Sequence, residues 1–257
     1  MRFIGAGMLL LLAACPAQHR ADGLHAGNKR IDLRGRAQDV YFYPAASEAR
    51  EAVLFLPGDG GWRGFAIDIA KDLARSGFDV YGWDIKRYLS GFTSSRGTLS
   101  ERDIQADTAA MAAHLQTARN ARLVLVGWSQ GAAMAVLAAS DPRAQKFFTG
   151  VVVVGLPESA VLGWRFADDL TYLTKAEPNE PRFQTAPWIA KVAPLRLGMI
   201  HSTADEYIST DAARKLFSFA REPRRLDLIA AGDHRFSGGR DELFRKLNEQ
   251  VKWASGQ

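Results

Sequence analysis

The stretch that decides the fold is RLVLVGWSQGAAMAVLAA at residues 122–139, where an apolar run meets G-W-S-Q-G and then a run of small apolar residues. The pattern G-x-S-x-G between a strand and a helix predicts a sharp turn, because the folded-back chain leaves no room for side chains at Gly127 and Gly131. Such a turn lifts the Ser129 hydroxyl from the carboxyl edge of a sheet and directs the helix N-terminus at it. An ordinary tight turn that contains a serine is the alternative.

Apolar runs and helical periodicities alternate along the rest of the chain. Strands are predicted at 40–43, 52–56, 78–83, 122–126, 150–154, 195–201 and 225–230, and helices at 67–76, 100–117, 130–139, 212–221 and 241–253. This alternation predicts an α/β fold with a mainly parallel central sheet and helices on both faces. The segment 157–193, rich in aromatic residues and proline, predicts a cap-like insertion over a binding pocket, with a surface loop as the alternative.

Two later strands end in residues that suit the partners of a nucleophilic serine. A serine hydroxyl needs a base to take its proton, and the base needs an acid that holds its tautomer. In a sheet of this type the acid and then the histidine follow the serine at the ends of later strands. Asp205 in STADEY and His234 in AGDHRF meet this order, with Glu206 and Asp233 as rival carboxylates. The sequence therefore predicts Ser129, His234 and Asp205 as a catalytic triad.

A glycine-rich loop follows the early strand in VLFLPGDGGWRGF at residues 53–65. The loop lacks the Lys-Ser/Thr ending of a nucleotide-binding P-loop, and Arg63 stands where a dinucleotide fingerprint has its third glycine. A serine hydrolase of this fold needs a second oxyanion donor at the same place. We therefore predict an oxyanion hole made by the amides of Asp59 and Gln130, with Gly60 as the second choice in the loop.

The N-terminus reads as a processing signal. Residues 1–14, MRFIGAGMLLLLAA, place a basic residue before a short apolar centre and two small residues, which predicts a lipoprotein signal peptide. Cys15, the single cysteine, completes a sequence that resembles the lipobox of bacterial lipoproteins and is predicted to be lipidated. A plain secretory signal with an incidental cysteine is the alternative. Residues 15–36 are predicted to be a lipidated tether and 37–257 a single domain, which is expected outside the cytoplasm and tethered to a membrane of the cell envelope.

Composition restricts the class of partner. The chain has 33 Lys and Arg against 28 Asp and Glu, and the cations form no basic run. Nucleic-acid binding is therefore not expected, since it requires a clustered basic patch, whereas a mild positive excess suits an anionic membrane surface. The scattered histidines and the single cysteine have no metal-ligand spacing, so no metal and no cofactor is predicted.

These features resemble the α/β-hydrolase superfamily over residues 40–254, and specifically the VirJ/AcvB family of bacterial virulence proteins. The resemblance rests on GDGGWR at 58–63, GWDIKRY at 82–88 and GWSQGA around Ser129. Members of that family are periplasmic, and some are implicated in hydrolysing aminoacyl-phosphatidylglycerol, the ester of an amino acid with a membrane lipid. The resemblance implies that 37–257 is an α/β-hydrolase domain, that its substrate is a membrane lipid ester, and that envelope or secretion-system proteins are possible partners.

The predicted reaction is hydrolysis of a carboxylic ester through an acyl-enzyme on Ser129. Four residues near the active edge of the sheet are predicted to contact the substrate, namely Trp62, Lys86, Arg87 and Trp128. The cations among them suit a phosphate, and solvated loop cations are the alternative. Asp59 is predicted to pair with an α-ammonium group if its side chain faces the pocket. A general carboxylesterase or peptidase, and a non-catalytic accessory protein of a secretion system, remain the alternative functions.

Overall fold

An eight-stranded sheet forms the centre of the computed structural model, which describes residues 27–46, 51–119, 122–171 and 178–256. Its strands are β1 (Gly27–Leu33), β2 (Arg36–Tyr43), β3 (Glu51–Leu56), β4 (Phe78–Trp83), β5 (Leu123–Trp128), β6 (Phe148–Val154), β9 (Arg196–Ser202) and β10 (Arg224–Ile229). Their order across the sheet is β1-β2-β4-β3-β5-β6-β9-β10. β2 runs antiparallel to β1 and β4, and every other pairing is parallel. A separate antiparallel pair joins β7 (Ser159–Val161) to β8 (Arg182–Gln184).

Helices cover both faces of the sheet. They are α1 (Phe65–Arg75), α2 (Ile85–Phe92), α3 (Glu101–Arg119), α4 (Gln130–Ala139), α5 (Pro142–Gln145), α6 (Ala186–Ile189), α7 (Thr210–Phe219) and α8 (Arg240–Ser255), with a 3-10 helix at Phe166–Leu170. α1 and α8 contribute to one hydrophobic cluster, and α2, α3, α4 and α7 contribute to the other. Over the described parts of the chain, none of the helices combines the length and the apolarity needed to cross a membrane.

β3 illustrates why the central strands read as continuous apolar runs. Leu54 and Leu56 belong to the cluster on the α4 face, whereas Val53 and Phe55 belong to the cluster on the α1 face. Successive side chains of a strand point to opposite faces, so a strand covered by helices on both sides must be apolar at every position. The predicted α/β fold, with its mainly parallel central sheet and helices on both faces, is confirmed.

The chain around β5 and α4 follows the pattern predicted for residues 122–139. All ten residues of α4 are buried, and most of them are alanine or glycine, which lets the helix axis come close to the sheet. A methyl group built on Gly131 would lie 2.1 Å from the Leu56 carbonyl oxygen, so the first turn of α4 touches the end of β3. This close approach brings the loop after β3 beside the N-terminus of α4.

The predicted tether at 15–36 is too long, because β1 lies inside it. Ile31 and Leu33 of this strand are buried while their neighbours are exposed, and β1 pairs with β2 over its whole length. An edge strand with one solvent-exposed face carries many polar residues, so its sequence resembles that of a linker. The folded domain therefore includes residues from Gly27 onward, rather than from 37. The predicted signal peptide at 1–14 and Cys15 lie outside the described residues.

The insertion predicted at 157–193 packs on the sheet domain in its described parts. β7 contacts α4, and the Gln130 side chain bonds both backbone groups of Val161, at 2.9 Å to the carbonyl and 3.1 Å from the amide. Trp164 and Phe183 are buried in the same cluster as α4. The 3-10 helix Phe166–Leu170 reaches the first turn of α2, where Asp169 contacts Lys86 at 2.6 Å. The insertion thus forms a wall beside the carboxyl end of the sheet.

Candidate active site

Ser129 stands in the strained turn between β5 and α4. Its φ of 55° and ψ of −124° are unusual for a residue with a side chain, and its amide donates to the Val154 carbonyl at 3.0 Å. A methyl group on Gly127 would lie 2.4 Å from the Gly131 carbonyl oxygen, and Gly131 is equally confined by Leu56. Both glycines are therefore required by backbone contacts, which separates this turn from an ordinary one.

His234 and Asp205 form a buried pair at the ends of β10 and β9. His234 Nδ1 lies 2.6 Å from Asp205 Oδ2, and the Asp205 side chain is fully shielded from solvent. The other carboxylate oxygen accepts hydrogen bonds from the amides of Tyr207 at 2.9 Å and Ile208 at 3.0 Å. Burial opposes ionisation, but these bonds and the neighbouring imidazole outweigh it and lower the pKa of Asp205. Asp205 is therefore placed to fix the tautomer of His234 as an ionised acceptor.

The imidazole of His234 is enclosed by rings and backbone. Trp128 stacks on it with ring centroids 5.7 Å apart and an interplanar angle of 30°, and Tyr207 meets it edge-on at 5.5 Å. Gly155, which directly follows the Val154 carbonyl that holds Ser129, has φ +57°. A methyl group there would lie 2.7 Å from His234 Cε1. Ser129 and His234 therefore both contact the carboxyl end of β6, one through its amide and the other through its ring.

The two rival carboxylates bond to backbone rather than to the imidazole. Glu206 Oε2 accepts a hydrogen bond from the His234 amide at 2.7 Å. Asp233 accepts from the amides of Arg235 and Ser237, both at 2.9 Å, and from the Ser237 hydroxyl at 2.6 Å. Of the three acidic residues considered for the acid, Asp205 is the one whose carboxylate contacts Nδ1.

The loop after β3 lies against the nucleophile. A methyl group on Gly58 would lie 3.2 Å from Ser129 Cβ, so the backbone on either side of Gly58 is close to the turn. The Gly60 amide is hydrogen-bonded to the Asp59 carboxylate, which engages the second of the two predicted loop donors. Gln130 is the first residue of α4, where amides have no carbonyl partner within the helix. The loop after β3 and the first residue of α4 therefore both lie beside Ser129.

Asp84 joins this loop to the end of β4, a link that the sequence reasoning missed. Its Oδ2 accepts from the Trp62 amide at 3.1 Å, and its Oδ1 caps α2 by accepting from the Arg87 amide at 3.1 Å. Asp84 lies in GWDIKRY, and Trp62 lies in GDGGWR. The signal that points to Asp84 is its position directly before a helix, where Asp is a preferred N-cap.

Trp62, predicted to contact substrate, uses its indole mainly for packing. The ring stacks on Tyr41 with centroids 4.9 Å apart and an interplanar angle of 3°. A methyl group on Gly82 would lie 1.8 Å from Trp62 Cη2, so the indole rests directly on the backbone of β4. Trp128, also predicted to contact substrate, is 8% exposed and packs edge-on against Phe65 as well as over His234. Its ring therefore supports the histidine.

A polar cleft of about 410 Å³ opens beside the loop after β3. Its lining consists of Gly60, Gly61, Trp62, Arg63, Asp84, Lys86, Arg87 and Ser90. Lys86 pairs with Asp169 at 2.6 Å, and Arg87 pairs with Asp39 at 2.9 Å. Lys86 and Arg87 were predicted as substrate contacts, whereas Arg63 was noted only as a misfit to a nucleotide loop. The cleft therefore carries three cations next to the predicted oxyanion donors.

Asp59 is half-buried between this cleft and the histidine. Burial raises the pKa of its carboxyl group, while the Gly60 amide and the positive charges of His234, Lys86 and Arg63 act in the opposite direction. These contributions indicate that the Asp59 carboxyl group lies in the neighbourhood of His234, Lys86 and Arg63. In the described ranges, no group of three or more His, Cys, Asp and Glu side chains is arranged to hold a metal ion.

Comparison with known proteins agrees with this fold. The uncharacterized protein YfhR of Escherichia coli O157:H7 is 28% identical over 213 residues, covering 78% of this chain and 69% of YfhR. The alpha/beta hydrolase GrgF from Penicillium sp. sh18 is similar with a TM-score of 0.67 at 15% identity, over 90% of this chain and 99% of GrgF. A membrane phospholipase A described as a novel bacterial virulence factor also has a TM-score of 0.67, at 12% identity, over 91% of this chain and 88% of its own.

A sequence model of the family described as bacterial virulence protein (VirJ) matches residues 51–254, from the first central strand to the last helix. The matched range contains the loop after β3, the turn at Ser129 and the pair Asp205–His234. The chain therefore belongs to the VirJ family and has the α/β-hydrolase fold.

Proposed function

We propose that this protein is a serine hydrolase that cleaves a carboxylic ester, with Ser129 as nucleophile, His234 as general base and Asp205 as the residue that orients the base. The observation that carries the proposal is the meeting of two features at the carboxyl end of β6. These are a serine with φ 55° at a helix N-terminus and an imidazole whose Nδ1 is held at 2.6 Å by a buried carboxylate. This is the arrangement by which a base activates a serine hydroxyl.

The reaction proceeds by two acyl transfers. Ser129 Oγ attacks the ester carbonyl carbon, and its proton passes to His234 Nε2, while the amides of Asp59 and Gln130 hold the oxyanion. The tetrahedral intermediate collapses as His234 returns the proton to the leaving alcohol oxygen, which leaves an acyl-enzyme. Water then attacks the acyl carbon with His234 again as base, and Ser129 recovers its proton when the acid departs.

The substrate we propose is an aminoacyl-phosphatidylglycerol or a related lipid ester of the cell envelope. A carboxylate near a developing oxyanion opposes the reaction electrostatically unless a cation neutralises it. Asp59 interacts with His234, and the pKa that burial raises indicates that the charge of its carboxylate is poorly solvated. An aminoacyl ester brings an α-ammonium group to this carboxylate, whereas a plain acyl ester brings none.

The cleft supports the lipid part of this substrate. Arg63, Lys86 and Arg87 line it and offer positive charge to a phosphodiester. The 3-10 helix that contacts Lys86 through Asp169 exposes Phe166 and Leu170, which are 93% and 61% accessible to solvent. Such residues suit contact with acyl chains. The structurally similar membrane phospholipase A bears a name that agrees with a lipid ester.

Location is part of the proposal. Acylation of Cys15 and export would place the hydrolase on a periplasm-facing membrane, where it meets a lipid substrate without leaving the surface. Metabolic labelling with a radioactive fatty acid tests this directly. Incorporation in the wild type and its loss in Cys15→Ser are expected, and equal labelling of the two would argue against a lipoprotein.

The test of the chemistry is labelling with a fluorophosphonate probe, which reacts with activated serines. Wild type is expected to label, and Ser129→Ala is expected not to label. Ser140→Ala, at the other end of α4, is a matched control and is expected to label like wild type. Asp205→Asn is expected to slow labelling by about 10³–10⁴-fold, because the imidazole then loses its ionised partner. Normal labelling of Ser129→Ala would rule out Ser129 as the nucleophile, and a wild type that does not label would favour a non-catalytic role.

The substrate is tested with matched esters and with cells. Purified protein is expected to prefer an aminoacyl ester over the corresponding plain acyl ester, and Asp59→Asn is expected to reduce that preference. A strain that lacks the gene is expected to accumulate aminoacyl-phosphatidylglycerol. An unchanged lipid profile together with an active serine would favour a general carboxylesterase or peptidase.

A further inference from the structure

The loop after β9 contacts the loop that carries His234 at several points. Ser202 Oγ donates to the Ala231 carbonyl at 3.2 Å, and Asp205 Oδ2 holds the imidazole at 2.6 Å. Glu206 then provides a third link, since its Oε2 accepts from the His234 amide at 2.7 Å. Consecutive carboxylates of one loop therefore hold the ring and the main chain of the same histidine.

The bond from Glu206 supplies a restraint that the bond from Asp205 does not. A single bond at Nδ1 leaves the imidazole free to pivot with its own backbone, so the direction of Nε2 depends on where the His234 Cα lies. Asp233 accepts hydrogen bonds from Arg235 and Ser237, which lie in its own loop after β10. None of these three bonds reaches the loop after β9, which carries Asp205. Glu206 makes that connection at the residue whose ring reacts.

The loop after β9 is itself held in place by further hydrogen bonds, so Glu206 can anchor the main chain of His234. Asp205 Oδ1 is bonded by the amides of Tyr207 and Ile208, and the Ile208 carbonyl contacts Nε2 of the fully buried His201 at 3.0 Å. Desolvation by burial lowers the pKa of His201, so a neutral imidazole donates this bond. The carboxylate of Glu206 thus extends from a loop that is fixed on both sides of it.

We propose that Glu206 is a positioning residue of the catalytic centre, which holds the main chain of His234 so that its Nε2 stays directed at Ser129. The inference rests on the proposed serine-hydrolase function, and it assigns to Glu206 a role through the backbone amide rather than as the acid of the triad. This role requires an acceptor oxygen at hydrogen-bonding distance from the His234 amide, and it does not require the negative charge.

Three variants separate reach from charge. Glu206→Gln keeps an acceptor oxygen at the same distance without the charge, Glu206→Asp keeps the charge on a side chain one methylene shorter, and Glu206→Ala removes both. Asp211→Ala, which removes an exposed carboxylate from the first turn of α7, is the control for loss of charge nearby. All are made in the full chain and assayed with a soluble p-nitrophenyl ester.

The expected pattern is a loss in kcat that follows the acceptor. Glu206→Ala and Glu206→Asp are expected to lower kcat by about 10- to 100-fold with KM within about 2-fold, since sub-ångström misplacement of a catalytic group has effects of this size. Glu206→Gln and Asp211→Ala are expected to stay within about 3-fold of wild type. Wild-type kcat in Glu206→Ala, or an equal loss in Glu206→Gln and Glu206→Ala, would overturn the proposal.

A second readout does not need a substrate. The proton shared by His234 Nδ1 and Asp205 gives a low-field proton resonance, which is expected to persist in Glu206→Gln and to broaden or vanish in Glu206→Ala. An unchanged resonance in Glu206→Ala would count against the positioning role even if the protein proved inactive on every ester. Failure of the proposed function and failure of this inference are therefore distinguishable.

Discussion

Replacing Asp84 with alanine tests the link between the loop after β3 and the rest of the active site. The carboxylate of Asp84 is buried and has two backbone partners at 3.1 Å, the Trp62 amide in the loop and the Arg87 amide in the first turn of α2. Asp84→Ala removes both bonds at once. Asp141→Ala is a matched control, because Asp141 is also a buried N-cap, of α5, but has no partner in the active-site loop.

The expected magnitudes follow from these contacts. Loss of an N-cap costs about 0.5–2 kcal/mol in either variant. Asp84→Ala additionally removes a charged acceptor from the Trp62 amide, worth about 1.5–3 kcal/mol. Asp141→Ala instead removes a pair with the exposed side chain of Arg143, which solvent screens. Asp84→Ala is therefore expected to be less stable than the control by roughly 1–3 kcal/mol, or about 2–12 °C in Tm for a chain of this size.

Activity discriminates more sharply than stability. Asp84→Ala frees the loop that carries the Asp59 amide, so its kcat is expected to fall by about 10²-fold or more, the effect of losing one oxyanion donor. Asp141→Ala is expected to keep wild-type kcat. Both variants are compared by thermal unfolding and by hydrolysis of a soluble ester under conditions where each is folded. If Asp84→Ala matched Asp141→Ala in both measurements, the assignment of Asp84 to the oxyanion loop would be refuted.

Three further predictions concern charge and surface. Burial raises the native pKa of Asp59, so the ionised form of this residue destabilises the fold at a pH above that pKa. Asp59→Asn is therefore expected to stabilise the protein by about 0.5–2 kcal/mol at pH 7 and not at pH 3, as measured by urea unfolding. The pKa of Asp205 is lowered, so its contribution to stability is present above the unfolded-state pKa and is lost as pH falls through the native pKa. Asp205→Asn is therefore expected to be less stable than wild type at pH 7, and the difference in the free energy of unfolding is expected to shrink on acidification. A difference that did not depend on pH would contradict this. Phe166→Ser with Leu170→Ser is expected to lower hydrolysis of vesicle-bound lipid ester by about 10-fold while sparing a soluble ester. Phe219→Ser, which changes an exposed phenylalanine of α7, is the control and is expected to change neither.

Several elements of the structure could be predicted because their causes are local in the chain. β4 and α4 have the predicted bounds, since a continuous apolar run and a run of small residues are strong signals over short windows. The turn at Ser129 was predictable for the same reason, because backbone sterics within five residues require both glycines. β1 was not predicted, because this solvent-exposed edge strand buries two side chains and is otherwise polar in sequence.

The roles of the acidic residues depended on distances that no local pattern contains. Asp205 and Glu206 are adjacent in sequence and chemically alike, yet one contacts the imidazole and the other contacts the amide of the same histidine. Trp62 illustrates the same limit, because its indole is directed onto Gly82 by the approach of β4, and that approach is set by strand order.

By itself the sequence determined the class of fold, the position of the strained turn at Ser129 and the order in which Asp205 and His234 follow it. Hydrophobic periodicity and steric exclusion act between residues that are close in the chain, so both can be recognised from the sequence alone. The tertiary structure alone decided which carboxylate meets Nδ1, which loop amide is already engaged and how Asp84 bonds to Trp62, which is 22 positions away in the chain. Those outcomes depend on parallel strands bringing distant loops to one edge of the sheet, where a difference of one residue changes which group is within hydrogen-bonding distance.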